Sequence, residues 1–220
     1  MFKDRSDAGR QLALLLSQYR DAQRCIVLAL PRGGVPVGAE VARALHLPLD
    51  VLVVRKLGLP GHEEYAAGAI AVGGIRVTGE EAPGMARTLK REQRELQRRE
   101  RAYRGDRAPL DLHGMTALLV DDGLATGLSM RAAVIAARGL GAASVIVAVP
   151  LGSAFACHAL QAPADPSALT GIGSMSPAMT HADGVVCLHT PEPFFAVGAW
   201  YESFEAPSDE EVRQTLAQWR

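Results

Sequence analysis

Long apolar runs, paired cysteines, an excess of one charge and aromatic residues are all scarce in this chain, and each shortage removes a class of protein. No apolar run approaches the ~20 residues that a membrane-spanning helix needs, so no membrane segment is expected. The amino end, MFKDRSDAGR, also lacks the apolar core of a secretory signal. Three cysteines, Cys25, Cys157 and Cys187, stand far apart, with no Cys-x-x-Cys pair and no metal-ligand rhythm with the six histidines. That argues against a disulfide framework or a structural zinc site, and for thiols in a reducing, cytoplasmic setting. Lys and Arg number 23 against 24 Asp and Glu, so no global basic excess draws the chain to nucleic acid, and no nucleic-acid partner is expected.

What remains is a 220-residue chain, 48% hydrophobic, long enough for one cored domain with an appendage. Ser6 or Asp7 is expected to cap a helix reaching about Tyr19, striped by Leu12, Leu15, Leu16 and Tyr19. Cys25 to Leu30 reads as a strand, Pro31 to Pro36 as a turn and Val37 to Leu45 as a helix. Leu49 to Val54 gives the next strand, and Gly68 to Val77 a hairpin turning at Gly73-Gly74. A charged helix follows from about Glu80 to Arg104. Its arginines interleave with Glu92, Glu95 and Glu100 without alternating aromatics, which favours a solvated, salt-bridged face over a base-stacking stripe. A central strand, a helix to about Arg138 and a strand from Ser144 to Val149 complete the alternation. The pattern predicts an α/β fold, a mostly parallel twisted sheet with helices on both faces, over residues 1–155. Residues 156–182, rich in Pro, Gly and Ser between Ala159 and Met179, read as an irregular insertion. A strand from Gly184 to Leu188 and a helix capped by Ser208 with Glu211 follow within 183–220.

Chemistry concentrates at Leu118 to Met130, LLVDDGLATGLSM. An apolar strand ends in two carboxylates, and a small-residue turn, Gly123 to Gly127, leads into a helix opened by Ser129. Strand-end carboxylates accept hydrogen bonds from vicinal hydroxyls, while turn amides and a helix amino end face a phosphate. Arg32-Gly33-Gly34 ends the first strand, where glycine lets amides approach an anion and arginine suits a diphosphate. Arg55-Lys56 follows LDVLVV and is placed at a strand carboxyl end as well.

The thirteen-residue stretch closely resembles the motif by which type I phosphoribosyltransferases bind 5-phosphoribosyl 1-pyrophosphate (PRPP). LALPRGGVPVGAEVARAL is similar to the pyrophosphate loop of the xanthine-guanine members, and Arg55-Lys56 to a basic pair of the adenine and orotate members. The resemblance implies that Arg32, Gly33, Gly34, Arg55, Lys56, Asp121, Asp122, Ala125, Thr126, Gly127 and Ser129 bind PRPP. Arg32, Lys56, Asp121 and Asp122 would carry the catalytic burden. It also implies a mobile lid over about 57–80, containing Glu63, Glu64 and Tyr65, and a small C-terminal hood. EPFFAVGAWYE, Glu192 to Glu202, resembles the hood of hypoxanthine-guanine enzymes. By that match Phe195 stacks on a base, Glu202 contacts Mg2+, and Phe194, Trp200, Tyr201 and Phe204 seal the hood. The implied reaction transfers the phosphoribosyl group from PRPP to a nitrogen base, a purine being favoured, with Mg2+ bridging ribose hydroxyls and diphosphate; the family often dimerises. One departure is Ala125, where oxopurine enzymes carry a base-contacting aspartate and the adenine branch carries alanine. A non-catalytic PRPP-binding regulator is the alternative, and hydrolysis of a ribosyl phosphate a third.

Overall fold

The computed structural model describes residues 1–78, 83–163, 169–170 and 177–219. Its strands are β1 (Cys25–Ala29), β2 (Leu49–Val51), β3 (Val54–Leu59), β4 (His62–Ala71), β5 (Arg76–Thr78), β6 (Thr116–Val120), β7 (Ser144–Leu151), β8 (Leu169–Thr170) and β9 (Gly184–His189). Its helices are α1 (Arg5–Leu15), α2 (Gly34–Leu45), α3 (Met85–Arg104), α4 (Leu128–Gly139), α5 (Ala154–Ala159) and α6 (Asp209–Ala217). Five strands make a parallel sheet in the order β2-β1-β6-β7-β9.

Helices cover both faces of that sheet, as the alternation of elements predicts. Along β6, Leu118 and Val120 join a core with α1 and α2, while Ala117 and Leu119 join a second core with α4. A strand buried on both sides reads as an unbroken apolar run, which is why LLV stands out in the sequence. From β1 the chain passes through α2 to β2 at one side, and from β6 through α4 to β7 at the other. The strand order therefore reverses between β1 and β6, and a crevice opens outside their carboxyl ends.

The second sheet is antiparallel, β3-β4-β5-β8, and corrects one expectation. The run LDVLVV is two strands rather than one: β2 pairs with β1 from Leu49 to Val51, and Val54 then opens β3 against Ala71. Continuous burial hides the change of sheet, because every residue from Leu49 to Val54 is buried, Asp50 included. The hairpin turns where expected, Gly73 and Gly74 taking φ of 79° and 77°, but its first strand starts back at His62. The segment compared with a lid is thus largely β3, β4 and β5; the side chains of Glu63, Glu64 and Tyr65, and all of 79–82, lie outside the described residues.

Helix boundaries shift for local reasons. Asp4, not Ser6 or Asp7, caps α1 by accepting from the Asp7 amide, and the helix ends at Leu15, leaving Tyr19 in a separate 3-10 turn. Leu15 is 44% exposed and leaves the buried stripe to Leu12 and Leu16. α2 starts at Gly34, three residues early, so the turn after β1 is tighter than Pro31 to Pro36. The short helix α5 falls where no periodicity is visible. Arg131 of α4 donates to the carbonyls of Ala159, Ala162 and Thr180, fastening both ends of the 160–180 stretch to the sheet's flank. Most of that stretch, 164–168 and 171–176, lies outside the described residues.

Candidate functional site

At the switch point the loop after β1 and the loop after β6 lie against each other. A Cβ built on Gly33 would collide with Asp122 Oδ2, and one on Gly34 would stand 2.6 Å from the Val120 carbonyl. Glycine is required at both positions by this approach alone. The backbone before Gly33 thus runs past the Asp122 loop, while the Arg32 guanidinium reaches away to Asp209 at the amino end of α6, 3.8 Å off.

Asp121 and Asp122 follow Val120, with the backbone amide of Asp122 donating to Asp121 Oδ1 at 2.9 Å. Burial, and then the neighbouring charge of Asp122, hold the Asp121 carboxyl well above the ordinary carboxylate range. Asp122 is also raised by burial, against the opposing pull of Arg5. Arg5, from the first turn of α1, places Nε at 2.8 Å and Nη2 at 2.7 Å from Asp122 Oδ2. Sequence reasoning missed Arg5, and nothing in its surroundings announces the contact, because the two residues are 117 positions apart. It missed a second clamp as well: the Tyr201 hydroxyl donates to the Asp122 carbonyl at 2.6 Å.

The loop from Gly123 to Gly127 is pinned from the β7 side. The Leu124 amide donates to the Leu151 carbonyl at 2.9 Å, and the Ser153 amide to the Leu124 carbonyl at 2.9 Å. Ser153 Oγ donates to the Ala125 carbonyl at 2.8 Å and also accepts from Ala156 as the cap of α5. Gly127, at φ 80°, turns the chain into α4, whose first residue is Leu128; Ser129 is its second residue rather than its opener. Amides in the first turn of a helix have no intrahelical partner, so this turn offers donors near Ala125, Thr126 and Gly127.

The remaining candidates separate. Arg55 and Lys56 are not at a carboxyl end of the parallel sheet but inside β3. Arg55 is bound to Glu92 of α3, with Nε at 2.9 Å and Nη2 at 2.6 Å from one carboxylate oxygen, and only Lys56 is exposed. The pair splits because successive side chains of a strand point to opposite faces. In the hood segment, Val197 packs on the loop after β6: a Cβ on Gly123 would collide with its Cγ1. Phe194, Trp200 and Phe204 gather with buried Tyr201 and Phe2, while Phe195 stays 84% exposed. Glu202 is exposed, and no cluster of three or more His, Cys, Asp or Glu that could hold a metal occurs among the described residues.

Fold and site together define an open α/β protein with paired carboxylates and a glycine-containing loop at its switch point. A family model for the phosphoribosyl transferase domain matches residues 3–157, and the chain belongs to that family. Two Mycobacterium tuberculosis sequences, from strains CDC 1551 and H37Rv, are 44% identical over 220 residues, and their names assign them provisionally to the phosphoribosyl transferases. The chain is covered to 96% in these matches and spans 45% of each relative's length. The crystal structure of TT1426 from Thermus thermophilus is similar over 99% of this chain and 98% of that one, at 37% identity and a TM-score of 0.74.

Proposed function

We propose that the chain is a PRPP-dependent phosphoribosyltransferase that moves the 5-phosphoribosyl group to a nitrogen base, a purine being favoured, and releases pyrophosphate. The observation that carries the reading is the contact of two loops at the switch point, Gly33 against Asp122. It brings the loop that carries an arginine suited to diphosphate against the loop that carries carboxylates suited to ribose hydroxyls. PRPP carries these two groups on adjacent atoms, so one ligand would span both loops.

In this mechanism the bond from the anomeric carbon to the diphosphate oxygen breaks as a base nitrogen approaches from the other side. Positive charge develops on the sugar ring, as in glycosyl transfer. Asp121 and Asp122 hold the ribose hydroxyls and tolerate that charge, the turn before α4 holds the 5-phosphate, and Arg32 with the Gly33 amide steadies the departing diphosphate. Lys56 would reach the diphosphate from β3. The exposed ring of Phe195 offers a stacking face to the base. Mg2+ takes hard oxygen ligands and keeps several waters, so PRPP's own oxygens would supply most of its shell, with Glu202 as one protein carboxylate. Its chemistry there is to neutralise diphosphate charge. Ala125 provides no acid to the base, which keeps the choice among purines a matter for assay. Among the described residues no helix is long and apolar enough to cross a membrane, and we place the enzyme in the cytoplasm on its unpaired thiols.

The deciding experiment measures pyrophosphate release from PRPP and Mg2+ against a panel of purine, pyrimidine and other nitrogen acceptors. Turnover with a purine is expected, and its loss in an Asp121→Asn, Asp122→Asn double variant that keeps the wild-type circular dichroism. PRPP binding without turnover on any acceptor would instead make the protein a non-catalytic PRPP-binding regulator.

A further inference from the structure

Arg5 is in an unusual place for an arginine. It is the first residue of α1, where the helix dipole disfavours a cation, and it is only 7% exposed, so its head group is stripped of most of its water. Neither α1 nor the hydrophobic core requires a charge there. What offsets the cost is a complete set of partners: Nε and Nη2 on Asp122 Oδ2, Nη1 on the Glu205 carbonyl at 2.8 Å, and the Phe204 ring 3.9 Å from the guanidinium carbon. The guanidinium is therefore held on three sides and aimed at one carboxylate oxygen.

That oxygen belongs to a pair that needs a cation. Two adjacent buried carboxylates resist ionising together, and a positive charge in contact with one of them relieves the repulsion. The titratable groups facing Asp122 are Asp121 beside it, Arg5 from α1 and Tyr201 from the hood segment. Arg5 alone among them brings positive charge. Nε and Nη2 both land on Oδ2, and the Asp121 carboxyl is the other side chain hydrogen-bonded to Asp122, so the guanidinium fixes the carboxylate from one side only.

We propose that Arg5 is a positioning residue for the phosphoribosyl ligand: it fixes the Asp122 carboxylate through Oδ2, balances the charge of the Asp121–Asp122 pair, and so holds the carboxylate in place for a ribose hydroxyl. The proposal rests on the reading of these two carboxylates as ribose-holding groups. It separates Arg5 from the diphosphate arm, since Arg32 and the Gly33 amide would hold pyrophosphate whether or not Arg5 is present.

The test is calorimetric titration of PRPP with Mg2+, and of inorganic pyrophosphate with Mg2+, into the wild type, Arg5→Met and Arg5→Lys between about pH 6 and about pH 9. Arg5→Met should bind PRPP about tenfold or more weakly at neutral pH, the loss expected when a charged hydrogen bond is removed. Its pyrophosphate affinity should stay within about twofold of the wild type, a change too small to reflect a lost hydrogen bond. The PRPP deficit should shrink as pH rises, because without the cation the carboxylates ionise only at higher pH. Arg5→Lys keeps the charge and should return the pH dependence to that of the wild type. Unchanged PRPP affinity in Arg5→Met, or equal weakening of PRPP and pyrophosphate, would reduce Arg5 to a structural staple. If near-ultraviolet circular dichroism shows Arg5→Met unfolded, Arg5→Gln, which keeps a donor without the charge, decides: weaker PRPP with unchanged pyrophosphate supports the proposal, and unchanged PRPP overturns it. A wild type that binds no PRPP overturns the phosphoribosyl reading together with this one, whereas wild-type binding with an indifferent Arg5→Met overturns this one alone.

Discussion

Arg55 and Lys56 are neighbours in sequence with different surroundings, and only the three-dimensional structure separates them. The alternation along β3 turns Arg55 toward Glu92, which is 6% exposed and also takes a bond from Arg91 at 2.9 Å. A buried carboxylate that loses a guanidinium keeps its desolvation cost without the compensation, so Arg55→Met should destabilise the fold by about 2 kcal/mol. Urea unfolding would register that loss, and PRPP affinity should remain near wild type; a variant of full stability that no longer binds PRPP would return Arg55 to the ligand site. The contrast with Asp121 and Asp122 shows which site residues a sequence exposes. Those carboxylates, with Arg32-Gly33-Gly34, sit in short stretches whose composition carries the chemistry. Arg5 and Tyr201 act on Asp122 from opposite ends of the chain, and a contact between distant residues leaves no local pattern.

Among the elements, α6 has a boundary that is legible because a capping box is local: Ser208 Oγ accepts from the Glu211 amide while the Glu211 side chain accepts from Ser208. Its role was not. The first residue, Asp209, receives hydrogen bonds from the Tyr103 hydroxyl at 2.6 Å and from Arg98 at 2.8 Å, so α6 is stapled to α3 beside Arg32. The Tyr103 bond foremost, then Arg98, hold the Asp209 carboxyl below the ordinary carboxylate range, and Arg98 with Arg99 pull Glu95 of α3 down to about 2. A carboxyl with a depressed folded pKa stabilises the fold above its unfolded value of about 4 and loses that contribution as pH falls through the folded value. Asp209→Asn should therefore be less stable than wild type at neutral pH, with the gap closing as pH drops below about 4. A gap of constant size in urea titrations at both ends of that range would show that the staple is not electrostatic. The start of α1 and the division of LDVLVV between two sheets were illegible for the opposite reason. Asp4, Ser6 and Asp7 are all competent caps, and the run from Val51 to Val54 stays apolar as the chain leaves one sheet for the other.

At the scale of the whole molecule, the parallel sheet followed from the alternation of strands and helices, but the way the chain's two ends close over it did not. Phe2 pairs with Tyr201 as a parallel bridge, its amide donating to the Trp200 carbonyl at 2.9 Å and its carbonyl accepting from Glu202 at 2.8 Å. Its ring is 2% exposed, 5.3 Å from the Tyr201 ring and 5.6 Å from His189, in a small third core separate from the two that sandwich the sheet. The hood segment is thus held down by the amino end of the chain, through a residue whose bonds run to Trp200 and Glu202 rather than to the carboxylate pair. Removing the ring empties a cluster with few other members, at a cost of about 3 kcal/mol if the site collapses only partly. The hood carries Phe195, so its loosening should act on the acceptor rather than on the diphosphate arm held by β1. Phe2→Ala is accordingly expected to lower thermal stability, to weaken binding of the acceptor base identified in the turnover panel, and to leave pyrophosphate affinity close to wild type. Equal loss of both ligands would mean that the third core supports the entire crevice, and unchanged base affinity would mean that Phe195 does not depend on the strap formed with the amino end.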